Sequence, residues 1–152
     1  MISIDTNLLF YAINSASPHH QAASDFLEKI SPRDDIVISE FVLSEFYQLL
    51  RNATVLEHPL DNAEACSVVA TYRQHPHWQI AGFPPDSQNL HDELWKQVGA
   101  QTVFARRRFF DLRIALILKS FGVKKFATTH TKDFQNLGFD DVWNPIESDR
   151  VL

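Results

Sequence analysis

The chain has one cysteine, Cys66, and four glycines in 152 residues. A single thiol excludes an intramolecular disulfide, and the lack of cysteine partners disfavours a zinc site. Within the helical pattern "AEACSVVATY", Cys66 reads as a small buried hydrophobe. The glycines form no Walker-type loop to cradle nucleotide phosphates, and no G-x-S-x-G elbow presents a nucleophilic serine. No apolar run approaches the roughly 18 residues of a membrane span, and the N-terminus lacks a basic region leading into an apolar core. The expected compartment is therefore the cytoplasm. A basic excess is missing too: 14 Lys and Arg against 19 Asp and Glu leave a formal charge of −5. That balance is unlike a simple electrostatic nucleic-acid binder. It is compatible with a nucleic-acid substrate if acids gather around divalent cations, which then supply the local positive charge.

What is present is ordinary globular composition, 45% hydrophobic and 22% charged, in a length that suits a single domain, 1–152. "ISI" followed by "DTNLLFYAI" predicts a short buried strand running into a helix. "PHHQAASDFLEKI" has helical spacing, with Pro18 suited to a first turn. "DIVIS" is a β-branched strand, and "EFVLSEFYQLLR" returns to helical period. Two further helices, "LDNAEACSVVATYRQ" and "DSQNLHDELWKQV", flank an extended piece around "WQIAGF". The apolar helix "RRFFDLRIALILKSFG" stops at Gly122, and "KKFATT" and "DVWNPI" supply later strands. This alternation predicts an α/β fold: a three-layer α/β/α sandwich with a central, mainly parallel sheet.

In such folds ligands bind beyond the carboxyl ends of the strands, so the polar residues that follow each strand carry the functional signal. Asp5 follows "ISI". Taken alone it reads equally well as a helix N-cap. Glu40 beside Ser39 reads as first-turn charge. Glu45 differs, because its helical face is shared with Phe41, Val42 and Leu49, which turns it at least partly inward. Asp111 is flanked by Phe109, Phe110 and Leu112 and raises the same problem, although a first-turn charge would also place it there. Carboxylates on apolar faces of two helices need compensation, and a shared cation supplies it. Oxygen ligands without thiolate favour Mg²⁺ or Mn²⁺. His19 and His20, and His75 and His77, lack zinc-motif spacing and read as loop or cap histidines. Trp78, Trp95 and Trp143 read as core or interface residues.

Together, "ISIDTNLLFYA", "ISEFVLSEFYQLL" and "RRRFFDLRIALILKSFGVKKFATTHTKDFQNLGFDDVWNPI" resemble, in order and spacing, the PIN-domain ribonucleases, specifically the VapC-type toxins of toxin–antitoxin pairs. The resemblance implies metal-binding catalytic acids at Asp5, Glu45 and Asp111, with Asn7 and Thr128 assisting through hydrogen bonds. It also implies a homodimer, a small VapB-like antitoxin, and RNA cleavage leaving 5′-phosphate and 3′-hydroxyl ends. The chain departs from the family where "TTHTKDF" carries His130 at a position usually held by Asp or Asn. Asp133 either compensates for that change or caps the short turn before Phe134.

The expected activity is Mg²⁺-dependent hydrolysis of single-stranded or loop RNA by metal-activated water. Arg107, with Arg106 and Arg108, either guides the phosphate backbone or forms a solvated helix start. The rival readings are a catalytically silent PIN-like scaffold for RNA or protein, and a metal-dependent nuclease or phosphatase on another substrate.

Overall fold

The computed structural model describes residues 1–148, so the last four positions of the expected domain lie outside the described residues. The chain begins β1 (Ile2–Ile4), α1 (Thr6–Ile13), α2 (His20–Ile30), β2 (Val37–Ser39) and α3 (Glu40–Leu50). It continues through α4 (Asn62–Arg73), β3 (Gln79–Ala81), α5 (Ser87–Gly99) and α6 (Arg108–Ser120), then β4 (Lys125–Ala127), α7 (Thr131–Phe134) and β5 (Asp141–Trp143). The expected elements are thus present, with one adjustment: Pro18 lies in the turn ahead of α2, whose first helical residue is His20.

Every strand pairing is parallel. One sheet runs β1-β4-β5 and a second runs β2-β3; an isolated parallel bridge from Ile2 to Ile36 joins them, giving the combined order 3-2-1-4-5. Parallel strands need crossovers, and the helices between them cover the faces of the three-layer α/β/α sandwich. The strands can be short because they are apolar and buried: Ile2, Ile4, Ile36, Val37, Ile38, Phe126 and Ala127 all belong to the core.

The order reverses at β1, whose neighbours are β2 on one side and β4 on the other. Ile4 pairs with Ala127, and Ala127 with Trp143, so the carboxyl ends of these strands are level. The chain therefore leaves β1 at Asp5 and β4 at Thr128 side by side. The Asp5 N–H donates to the Ala127 carbonyl at 2.9 Å, extending the ladder by one bond. A polar residue following either strand is placed at the switch point where open parallel sheets bind ligands.

Helix α6 brings the remaining acid to this edge. It buries Leu112, Ile114, Ala115, Ile117 and Leu118, a stripe about as wide as a core-facing helix requires. It ends in a Schellman motif: Val123 N–H donates to the Leu118 carbonyl at 3.1 Å and Gly122 N–H to that of Lys119 at 2.9 Å. Gly122 has φ +80, a left-handed conformation that suits glycine. The chain reverses there and enters β4.

Cys66 is exposed, against the expectation of burial. The fully buried residue of α4 is its neighbour Ala65, and the helix packs through Val68, Val69 and Tyr72, which are partly covered. Trp78 and Trp143 are core residues, whereas Trp95 is exposed on α5.

Candidate active site

Asp5 is both a helix cap and a member of a polar cluster. Its Oδ1 accepts from the Thr6 N–H at 2.8 Å, capping α1. Its Oδ2 accepts from Asn7 Nδ2 at 2.7 Å and from the Thr128 hydroxyl at 2.6 Å. Thr128 is fully buried. Its hydroxyl donates to Asp5 and accepts from Asn7 Nδ2 at 3.1 Å and from the His130 N–H at 2.9 Å. One donor and two lone pairs are all used, so the hydroxyl has a single sensible orientation. The Asn7 side-chain oxygen accepts from the Thr129 N–H at 3.4 Å. This network locks the first turn of α1 to the end of β4.

Glu45 reaches the cluster from α3. Its Oε2 accepts from the Thr6 hydroxyl at 2.8 Å. The residue is exposed, not inward-facing as its neighbours suggest. Helix α3 buries Val42, Leu43, Phe46 and Leu50, and Glu45 lies at the flank of that stripe, where a groove admits solvent. Glu40 opens α3, pairs with Arg73 at 2.9 Å and plays no part in the cluster.

Asp111 lies half-buried in the first turn of α6. Asp133 and His130 are exposed beside it and line the same cavities. The Asp133 carboxylate makes no cap bond to α7, which has no side-chain cap at all. Its charge acts on Asp111, pushing that carboxyl up.

Two connected spaces meet at these acids. A groove of about 580 Å³ is lined by Glu45, Asp111, His130 and Asp133 together with Phe41, Phe110, Arg107 and Arg113. A cavity of about 320 Å³ shares the first four and adds Asp5, Thr6 and Asn7. Arg107 is exposed at the groove, immediately ahead of α6.

The electrostatics of this arrangement are unfavourable without a cation. Burial, reinforced by the nearby Glu45 charge, pushes the Asp5 carboxyl up to about 6, although the Thr128 hydrogen bond opposes the rise. Asp111 is also pushed up to about 6, by burial first and then by the charges of Asp133 and Glu45. Among the described residues no lysine or arginine forms an ion pair with Asp5, Glu45, Asp111 or Asp133. Nor are three ligand-type side chains there already drawn together at metal-holding geometry. The donor set nevertheless fits a hard divalent cation, since it offers several carboxylates and no thiolate.

Thr6, Arg113 and Phe110 were not singled out in the sequence. The signal for Thr6 is its place between Asp5 and Asn7; for Arg113 it is a cation inside the apolar run "DLRIALIL".

The PIN domain family matches residues 2–139. The chain belongs to the PIN-domain family. Within it the chain is VapC-type: it is 44% identical over 149 residues to Ribonuclease VapC24 of Mycobacterium tuberculosis, covering 98% of this chain and 99% of that protein. Solved structures of the same fold include VapC20 of Mycobacterium tuberculosis, a sarcin–ricin loop cleaving toxin, at TM-score 0.65 and 19% identity over 91% of this chain and 96% of that one. VapBC2 from Rickettsia felis, bound to a DNA fragment from its promoter, matches at TM-score 0.65 and 19% identity over 95% and 98%. FitAcB from Neisseria gonorrhoeae matches at TM-score 0.62 and 18% identity over 97% and 100%. These PIN-like neighbours agree with the parallel-sheet fold expected from the sequence. No helix among the described residues is long and apolar enough to cross a membrane.

Proposed function

We propose that this PIN-domain chain is a Mg²⁺-dependent endoribonuclease, the toxin of a type II toxin–antitoxin pair, and that a single nuclease domain cuts single-stranded or loop RNA in the cytoplasm. The observation that carries this reading is the convergence of Asp5, Glu45, Asp111 and Asp133 on two adjoining spaces, with no lysine or arginine among the described residues ion-paired to any of them. A Mg²⁺ or Mn²⁺ ion held by Asp5, Glu45 and Asp111 would balance their charge, acidify an attacking water and offset charge on the phosphoryl oxygens.

The chain's own residues do the positioning. Thr128 and Asn7 each donate to Asp5 Oδ2, which leaves the carboxylate one orientation and holds it ionised against its burial. The Thr6 hydroxyl aims Glu45 at the same space. Asp133 takes the place of the fourth acid, while His130, braced through its N–H on Thr128, offers its ring to a phosphate or a water. Arg107 at the groove steers the RNA backbone toward the acids.

RNA as the substrate is supported by the similarity to Ribonuclease VapC24. A small VapB-like antitoxin is supported by the likeness to the VapBC2 complex. A homodimer belongs to the same reading, since Trp95 and Val103 are large exposed apolar side chains that a second copy would cover.

The test is cleavage by the purified chain freed of any antitoxin. Cleavage of RNA with Mg²⁺ or Mn²⁺, its loss on chelation, and its loss in a folded Asp5→Asn variant are expected. Equal cleavage by that variant, or indifference to chelator, refutes the assignment.

A further inference from the structure

We propose that Arg113, Phe41 and Phe110 form a nucleotide subsite that takes the phosphate and the base of one unstacked RNA residue beside the bond being cut. The proposal rests on the ribonuclease reading and adds to it where the substrate is held.

Arg113 lies on α6 two residues after Asp111, in a helix that is otherwise apolar on this stretch. Its guanidinium carbon sits 3.8 Å from the centroid of the Phe41 ring and 5.5 Å from that of Phe110. Its Nε is buried without a hydrogen-bond partner. No carboxylate among the described residues pairs with it. A guanidinium carries five donors in a planar fork, and stacking on a ring fixes the plane without using any of them. Arg113 is therefore held in orientation with its donors unspent, on the wall of the groove that also contains Glu45 and Asp111.

Cation–π packing alone accounts for Phe41, whose ring lies under the guanidinium. It does not account for Phe110, which stays 54% exposed beside the same groove. An exposed ring next to an oriented guanidinium is the pairing that single-stranded nucleic acids use: the arginine meets a phosphate and the ring stacks a base. Duplex RNA keeps its bases stacked inside and is recognised by shape and backbone, so it cannot use Phe110. Charge complementarity favours a polyanion here. Arg107 and Arg113 line this groove together, and the acids a cation would neutralise lie between its two spaces.

The test measures binding of a fluorescein-labelled single-stranded RNA oligonucleotide of mixed sequence by anisotropy, in Mg²⁺, with the Asp5→Asn chain to prevent cleavage. Adding Arg113→Lys, which keeps the charge and loses the planar fork, or Phe110→Leu is expected to weaken binding about tenfold each, in line with stacking and fork contacts elsewhere. Lys124→Met, which removes an exposed charge next to β4 at its amino end, is expected to leave affinity unchanged. In the otherwise wild-type chain, Arg113→Lys should raise KM for RNA cleavage with little change in kcat. Phe110 is exposed, so its variant keeps the test valid even if Arg113→Lys lowers the melting temperature.

Unchanged RNA affinity in both variants overturns the proposal. So does Phe110→Leu if it alters the oligomeric state alone, which would make the ring a contact between copies. Weakened association with a co-expressed antitoxin at unchanged RNA affinity likewise overturns it in favour of a protein ligand. Failure of the parent reading looks different, because wild type would then show no Mg²⁺-dependent cleavage at all.

Discussion

Asp5 makes the metal-free protein less stable as pH rises, and the size of the effect follows from its surroundings. Its carboxyl titrates near 6 in the folded chain against 3.8 for an ordinary aspartate. A group whose folded pKa is raised contributes stability that is fully present below the unfolded value and lost as pH rises through the folded one. At about 1.4 kcal/mol per pKa unit, the difference of roughly two units corresponds to about 3 kcal/mol, most of it lost between pH 4 and 7. Asp35, whose carboxyl is held low by Arg33, works in the opposite direction. The clean observable is therefore the difference in unfolding free energy between wild type and Asp5→Asn. Urea denaturation in chelator, followed by fluorescence of the buried Trp78 and Trp143, should show wild type losing ground to the variant by about 2 to 3 kcal/mol from pH 4 to 7.5. Saturating Mg²⁺ at pH 7.5 should restore wild type selectively, by about 2.7 kcal/mol at a hundred times its Kd. A difference independent of pH, or one growing in favour of wild type in chelator, would refute the view that the hydrogen bonds to Asp5 fall short of offsetting its burial.

Thr128→Val removes a donor that holds Asp5 ionised, so cleavage should fall about 10- to 100-fold and the pH profile should move to higher pH, read from initial rates across pH 5 to 9. Glu45→Gln and Asp111→Asn should each abolish Mg²⁺-dependent cleavage while leaving far-UV circular dichroism unchanged; a variant that retains wild-type turnover would remove that residue from the metal set. Gly122→Ala places a Cβ at φ +80 and 3.3 Å from Met1 Cε, which should cost about 1 to 2 kcal/mol in denaturant unfolding without changing activity per folded molecule.

Asp5 was readable because an acid directly after a β-branched strand has one place to be in a parallel sheet, the switch-point edge. Thr128 was readable on the same ground, as the first polar residue after "KKFA". The depth of Glu45 was not. Apolar neighbours at helical spacing identify the side of α3 that packs, but they do not say where the neighbouring helices part to admit water. Cys66 shows the same limit from the other direction, since its apolar context comes from Ala65, Val68 and Val69, which face inward past it. Arg113 escaped notice because its role depends on Phe41, 72 positions earlier, and no local pattern reports a ring stacked from another helix. The cap reading of Asp5 holds for one of its oxygens, while the other accepts from Asn7 and Thr128.

The sheet itself has a seam. Strands β1, β4 and β5 form one ladder and β2 and β3 another, with the bridge at Ile2 and Ile36 between them. Asp5 and Thr128 stand on the first ladder, so backbone pairing sets their spacing. Glu45 stands on the helix that grows from β2, across the seam. Sliding one ladder against the other would leave the Asp5 to Thr128 contact intact and stretch the Thr6 to Glu45 contact. The spacing of Asp5 and Thr128 is thus set inside one ladder, whereas that of Thr6 and Glu45 depends on how α1 packs against α3 across the seam.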